Sequence, residues 1–202
     1  MPLQNRVMPW GEIVADPARG TLTGNRGVLH DDGRQLGRAR WRHRAWISCT
    51  LHWRGVRRVP MSPGTWTELF FLDEAVALAA GHRPCGLCRR AAYRAFQAAW
   101  AAAELGEARA PMIDAVLHPA RIMRDAAGAT HRADADTLPD GTFIAHSDGA
   151  ARLAGATILP FRPGGYGPPL PRPTGLVPVL TPAPIVAVLA AGYTPDAGRD
   201  AA

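Results

Sequence analysis

Cys85 and Cys88, with Gly86 and Leu87 between them, are two of only three cysteines in a chain of 202 residues. Two intervening residues let both sulfurs turn toward one point, which is what a tetrahedral Zn²⁺ takes from a knuckle. They follow a helix stop, Leu78-Ala79-Ala80-Gly81-His82-Arg83-Pro84, and stand at the head of a second helical stretch. Arg83, Arg89, Arg90 and Arg94 lie close by in sequence, so any chemistry of these sulfurs runs in a positive field. The spacing serves two chemistries. One is a metal knuckle. The other is a thiol redox pair, in which a helix N-terminus acidifies the first sulfur.

A metal reading needs further ligands. Cys49 is the one cysteine left to supply a third. A fourth would be a histidine: His52, in Cys49-Thr50-Leu51-His52; His82, three residues before Cys85; or His30, arriving from an adjacent strand. In a regular strand, residues three apart point to opposite faces, so His52 needs a bulge or a turn to join Cys49. The expected set is Cys49, Cys85 and Cys88 with His52 or His82, His30 standing close behind, around Zn²⁺.

The stretch Phe70-Phe71-Leu-Asp-Glu-Ala-Val-Ala-Leu-Ala-Ala-Gly-His-Arg-Pro-Cys85-Gly-Leu-Cys88-Arg89 resembles the second half of the zinc-binding domain of Ada, the bacterial sensor of methylated DNA phosphates. In that family a Phe-Phe strand end, an Ala-rich helix and Gly-x-Arg-Pro-Cys-x-x-Cys carry two of four thiolate zinc ligands. The resemblance implies that Cys85 and Cys88 bind metal and that the module faces DNA, with a role in repair or regulation. It covers about residues 70–90. The family's upstream half supplies two more cysteines with three residues between them, and here only Cys49 lies upstream. Pro84-Cys85-x-x-Cys88 is also similar to the zinc deaminases, but their upstream His-x-Glu or Cys-x-Glu has no counterpart. Without that glutamate the attacking water lacks its proton shuttle, and deamination is excluded.

Arginine placement suggests a partner. Over 38–53 the pattern predicts one strand, with Arg38, Arg40, Arg42, Arg44 and Trp46 on its even face and mostly apolar residues on its odd face. Such a row can follow a phosphate backbone while Trp46 stacks on a base. It can equally be a solvated edge strand protected by charge. Residues 1–100 hold 15 arginines against 7 acidic residues, a balance of +8; residues 101–202 hold 8 against 10, a balance of −2. All the excess charge lies in the half with the cysteines. That points to a polyanion, DNA before RNA, met by Arg38, Arg40, Arg42, Arg44, Trp46, Arg83, Arg89 and Arg90. The absence of lysine and the wealth of Ala, Arg, Gly and Pro also fit a GC-rich coding sequence. An enzyme is the alternative, either a thiol oxidoreductase at Cys85 and Cys88 or a metal-dependent hydrolase acting on nucleic acid. For the latter, His118, His131, Asp134, Asp136 and His146 offer ligands. No phosphate-cradling glycine loop and no nucleophile elbow occur.

The elements that must position these groups read as α+β. Hydrophobic residues make up 47% and charged residues 20%, an ordinary globular balance. Short strands fill the first 72 residues, with turns at Asp31-Asp32-Gly33 and Arg54-Gly55. Helices are predicted over 74–80, capped by Asp73 and stopped by Gly81, and over 86–105, with Tyr93, Phe96 and Trp100 as its core stripe. A joint at 106–111 divides a β-rich zinc module with hairpins and two helices, 1–106, from 107–202. The second part is predicted as a helix over 112–124 interrupted by Pro119, a small mainly antiparallel sheet, and a last helix capped at Thr181-Pro182. Three cysteines fit a reducing compartment, and no membrane-length apolar run or signal pattern occurs, so a cytoplasmic site without membrane contact is expected.

Overall fold

The structure, a computed structural model, describes residues 1–55, 59–147 and 149–196. Apolar residues of the first half come in short runs between turn formers, and these runs pair into one sheet. Its strands are β1 (Gln4–Val7), β2 (Ile13–Ala15), β3 (Leu22–Asn25), β4 (Ile47–Thr50), β5 (Leu69–Phe71) and β6 (Arg83–Pro84). They lie in the order β2-β1-β5-β3-β4-β6. The pairs β1/β5 and β4/β6 are parallel and the others antiparallel. A second sheet holds β7 (His131–Asp134), β8 (Phe143–His146), β9 (Gly149–Ala154), β10 (Thr157–Arg162), β11 (Gly165–Tyr166), β12 (Leu170–Pro171) and β13 (Leu176–Val179). All its pairings are antiparallel. With four helices the chain is α+β, as the sequence predicts.

Helix α1 (Glu74–Ala79) is buried along its whole length. Its alanines leave room for both sheets to close on it. They share one core cluster with Leu69 and Phe71 of the first sheet and Phe143 and Ala150 of the second. Asp73 caps the helix by accepting the Val76 N–H at 2.8 Å. Gly81 ends it at a φ of +84°, where a side chain would also meet Arg121. Helices α2 (Arg90–Ala102), α3 (Ala110–Ile122) and α4 (Ala183–Ala190) build a second cluster, in which Phe96 and Trp100 meet Ile113, Leu117, Ile185 and Tyr193. The two sheets therefore fall on either side of the joint at 106–111, while both of these clusters cross it.

Four local expectations change. The single strand expected over 38–53 is only β4, Ile47–Thr50. Residues 38–45 instead fold back: Arg42 N–H donates to the Arg26 carbonyl at 2.8 Å, and the Arg44 carbonyl accepts from Arg121 Nη2. Helix α2 starts at Arg90 rather than near 86, because residues 86–89 form turns. Helix α3 runs through Pro119 without a break. The Thr181 hydroxyl does not cap α4; it accepts the Phe143 N–H at 2.9 Å, tying helix to sheet.

Candidate metal centre

Strands β4 and β6 are parallel, with Ser48 opposite Pro84, and the Cys85 N–H donates to the Ser48 carbonyl at 2.9 Å. This register sets Cys49 beside Cys85. The turn that follows brings Cys88 back: Arg89 N–H reaches the Cys85 carbonyl at 3.1 Å, and Leu87 N–H points at Cys85 Sγ from 3.4 Å. The three sulfurs lie within 4.8 Å of one another. Thiolates on one tetrahedral zinc, with bonds near 2.3 Å, stand roughly 3.8 Å apart, so the donors are gathered to within a small adjustment of that arrangement. Cys85 is buried, while Cys49 and Cys88 are half-buried. A buried sulfur that accepts a backbone N–H and two neighbouring thiols suits a soft divalent metal. The residues fit the ion.

Proximity also splits the acidities of the sulfurs. The hydrogen bond from Cys49, with further donors from the Cys88 and Leu87 backbone, draws Cys85 below the usual thiol range against the opposing effect of burial. The same hydrogen bond, followed by burial, pushes Cys49 up. Cys85 is thus the sulfur that first offers a thiolate to a metal.

Two buried ion pairs brace the knuckle. Arg89, next to Cys88, donates to Ser48 Oγ at 3.0 Å and to Glu74 Oε1 at 2.8 Å. Glu74 also accepts the Tyr193 hydroxyl at 2.7 Å and the Asp196 N–H at 2.8 Å. Arg83 makes a two-pronged pair with Asp114, at 2.9 and 2.7 Å, which ties β6 to α3. The sequence reading missed Ser48, Glu74 and Asp114, which act only through partners distant in the chain.

The structure does not bring the expected histidines to the sulfurs. Among the described residues no histidine, aspartate or glutamate joins the three cysteines within the same distance. His52 is exposed beyond the end of β4. His82 is fully buried elsewhere, with its ring against Phe71 and Trp46 and its Nε2 accepting from Arg26 at 3.2 Å. His30 is occupied by the Thr67 hydroxyl at 2.6 Å and the Ser62 carbonyl at 3.1 Å. The donor set is three thiols.

The expected phosphate contacts divide. Arg38, Arg40, Arg42, Arg44 and Arg90 are exposed. Arg83 and Arg89 are not free for phosphates, since each side chain is no more than 7% exposed and paired with a carboxylate. Nor is Trp46 available to stack on a base. It is buried between the guanidinium groups of Arg26, 4.0 Å from its ring centre, and Arg121, 4.2 Å away. Regular alternation in the sequence placed Trp46 with the arginines, but the folded-back chain turns it inward.

Of the residues of the enzyme alternatives, Cys85 lies five residues before the first residue of α2, so the N–H groups that reach its sulfur come from the turn after it rather than from a helix N-terminus. His118, His131, Asp134, Asp136 and His146 form no group among the described residues. His118 packs against Trp41 and Trp46, and Asp134 caps a short helical turn at Ala135–Thr137. No helix is long and apolar enough to cross a membrane among the described residues. No family model, curated protein or solved structure matches the chain.

Proposed function

We propose that this is a zinc protein that contacts nucleic acid, DNA in preference to RNA, through its exposed arginines. The observation that carries the metal half is the convergence of Cys49, Cys85 and Cys88 from two segments of the chain onto one point. Zinc fits a redox-silent, all-sulfur set. A three-thiolate set leaves one position of the tetrahedron to water or to an outside ligand. The resemblance of residues 70–90 to the Ada zinc-binding domain supports the same choice of metal. Methyl transfer of the Ada kind is not included, because the second upstream cysteine is missing.

The nucleic-acid half rests on charge placement. Arg38, Arg40, Arg42 and Arg44 extend from the segment that leads into β4, and Arg90 follows the knuckle directly. The metal would hold the segments that carry these arginines together, and the arginines would meet phosphates. Expected outcomes are one zinc per chain in the purified protein, none in Cys49→Ser, and full content in His52→Ala. Binding to DNA should weaken steeply as salt rises, as counterion release requires. Two reactive thiols and no metal would favour the oxidoreductase alternative, and undetectable binding to DNA and RNA at low salt would end the nucleic-acid reading.

A further inference from the structure

Beyond Asn25, at the end of β3 past the residue paired with Cys49, lies an open cleft of about 720 Å³. Its lining is largely apolar and includes Val28, Leu29 and Trp66, with Arg42 and His43 of the arginine segment. Hydrogen bonds to the backbone fix this shape. Gly37 N–H donates to the Leu29 carbonyl at 2.8 Å, Arg42 Nε to the Val28 carbonyl at 3.3 Å, and Leu29 N–H to the Thr67 hydroxyl at 2.8 Å. Gly27, at a φ of +106°, lets the arginine segment close over it, since a side chain there would stand 2.6 Å from Arg42 Cβ. The one carboxylate in the lining, Asp31, is engaged by the Gln35 N–H at 2.8 Å.

An apolar cleft with a tryptophan and an arginine in its lining matches a flat heteroaromatic ring that carries anionic groups. That is the chemistry of a nucleotide. A free mononucleotide would use one or two of the neighbouring guanidinium groups. Arg34, Arg38, Arg40, Arg42 and Arg44 are all exposed along one stretch, which suits a run of phosphates. We propose that the cleft receives one unpaired base of a single-stranded nucleic acid whose backbone lies along residues 38–44. The proposal rests on the nucleic-acid reading above and sharpens it: a base paired and stacked in a duplex cannot enter the cleft, so single strands bind better.

The test compares three probes on the full, metal-loaded chain at low salt: a short oligothymidylate, an abasic strand of the same length, and thymidine monophosphate. The expected result is that the oligothymidylate binds at least about fivefold more tightly than the abasic strand, the value of one stacked base. Trp66→Ala should erase that difference. Because Trp66 is half-buried, Val28→Gln at a residue 44% exposed provides a second, uncharged change in the same cleft, expected to narrow the difference. Equal binding of the two strands by the unmodified protein overturns the base pocket while leaving the phosphate reading intact. Equal affinity for the monophosphate and the oligothymidylate overturns the strand in favour of a free nucleotide. No binding of either strand removes both readings together.

Discussion

An indole between two guanidinium groups, with a neutral histidine packed against the same ring, is an expensive thing to bury, and it sets how this protein responds to acid. His82 is held well below its ordinary pKa, first by burial and then by the neighbouring Arg26 and Arg121 cations. Its folded state is neutral, whereas in the unfolded chain it titrates near 6.5. The unfolded state therefore binds the extra proton as pH falls below about 6.5, and stability that is complete above that value is lost toward the depressed folded pKa. From this group alone the slope approaches about 1.4 kcal/mol per pH unit. Urea unfolding between pH 7 and 5 should show it, and His82→Asn, though less stable, should show a shallower slope. At this scale the sequence revealed the donors and concealed their use. Cysteine chemistry is local enough to read from spacing. The fates of His82, Trp46, Arg83 and Arg89 depend on Phe71, Arg26, Asp114 and Glu74, partners that spacing cannot identify.

Secondary structure was readable where a residue type has one local role. Asp73 caps α1 and Gly81 stops it, as their types demand. The pattern misled over 38–53, where strict alternation satisfies a strand but equally suits a segment held against its neighbours by bonds to Arg26 and Arg121. Helix α3 shows the opposite error. Pro119 marks a break, yet the helix continues because Ile113 and Leu117 are buried ahead of it and Arg121, bonded to the Gly81 carbonyl, is buried beyond it. Packing overrides a local cost there, and the cost should be recoverable. Proline is about 3 kcal/mol worse than alanine inside a helix, and its stiffening of the unfolded chain returns about 1 kcal/mol. Since position 119 is exposed, Pro119→Ala should stabilise the protein by about 1–2 kcal/mol, visible as a higher Tm.

Across the whole molecule, the joint at 106–111 separates two sheets but not two cores. The buried alanines of α1 join them, and arginines from the second half hold its end: Arg121 donates to the Gly81 carbonyl at 2.8 Å and Arg124 to the Ala79 carbonyl at 2.9 Å. Cations at the C-terminus of a helix are favourable, and these also fill carbonyls that would otherwise lack donors. The positive excess of the first half, read from the sequence as a sign of an external partner, is partly used inside the fold, where Arg26, Arg83 and Arg89 are buried or paired. The carboxylate of Glu74 has a consequence at this scale. It grips the arginine beside the knuckle with both oxygens and the segment after α4 with the same two, so the last described turn of the chain is mechanically in series with the sulfurs. Tyr193→Phe keeps the ring against Phe96 and removes one link of that series. If the sulfurs hold zinc as proposed, losing about 1 kcal/mol there should release it to a chromogenic chelator roughly fivefold faster. The retention time of such an ion would then be governed from a residue more than a hundred positions downstream of the one that grips the knuckle's arginine.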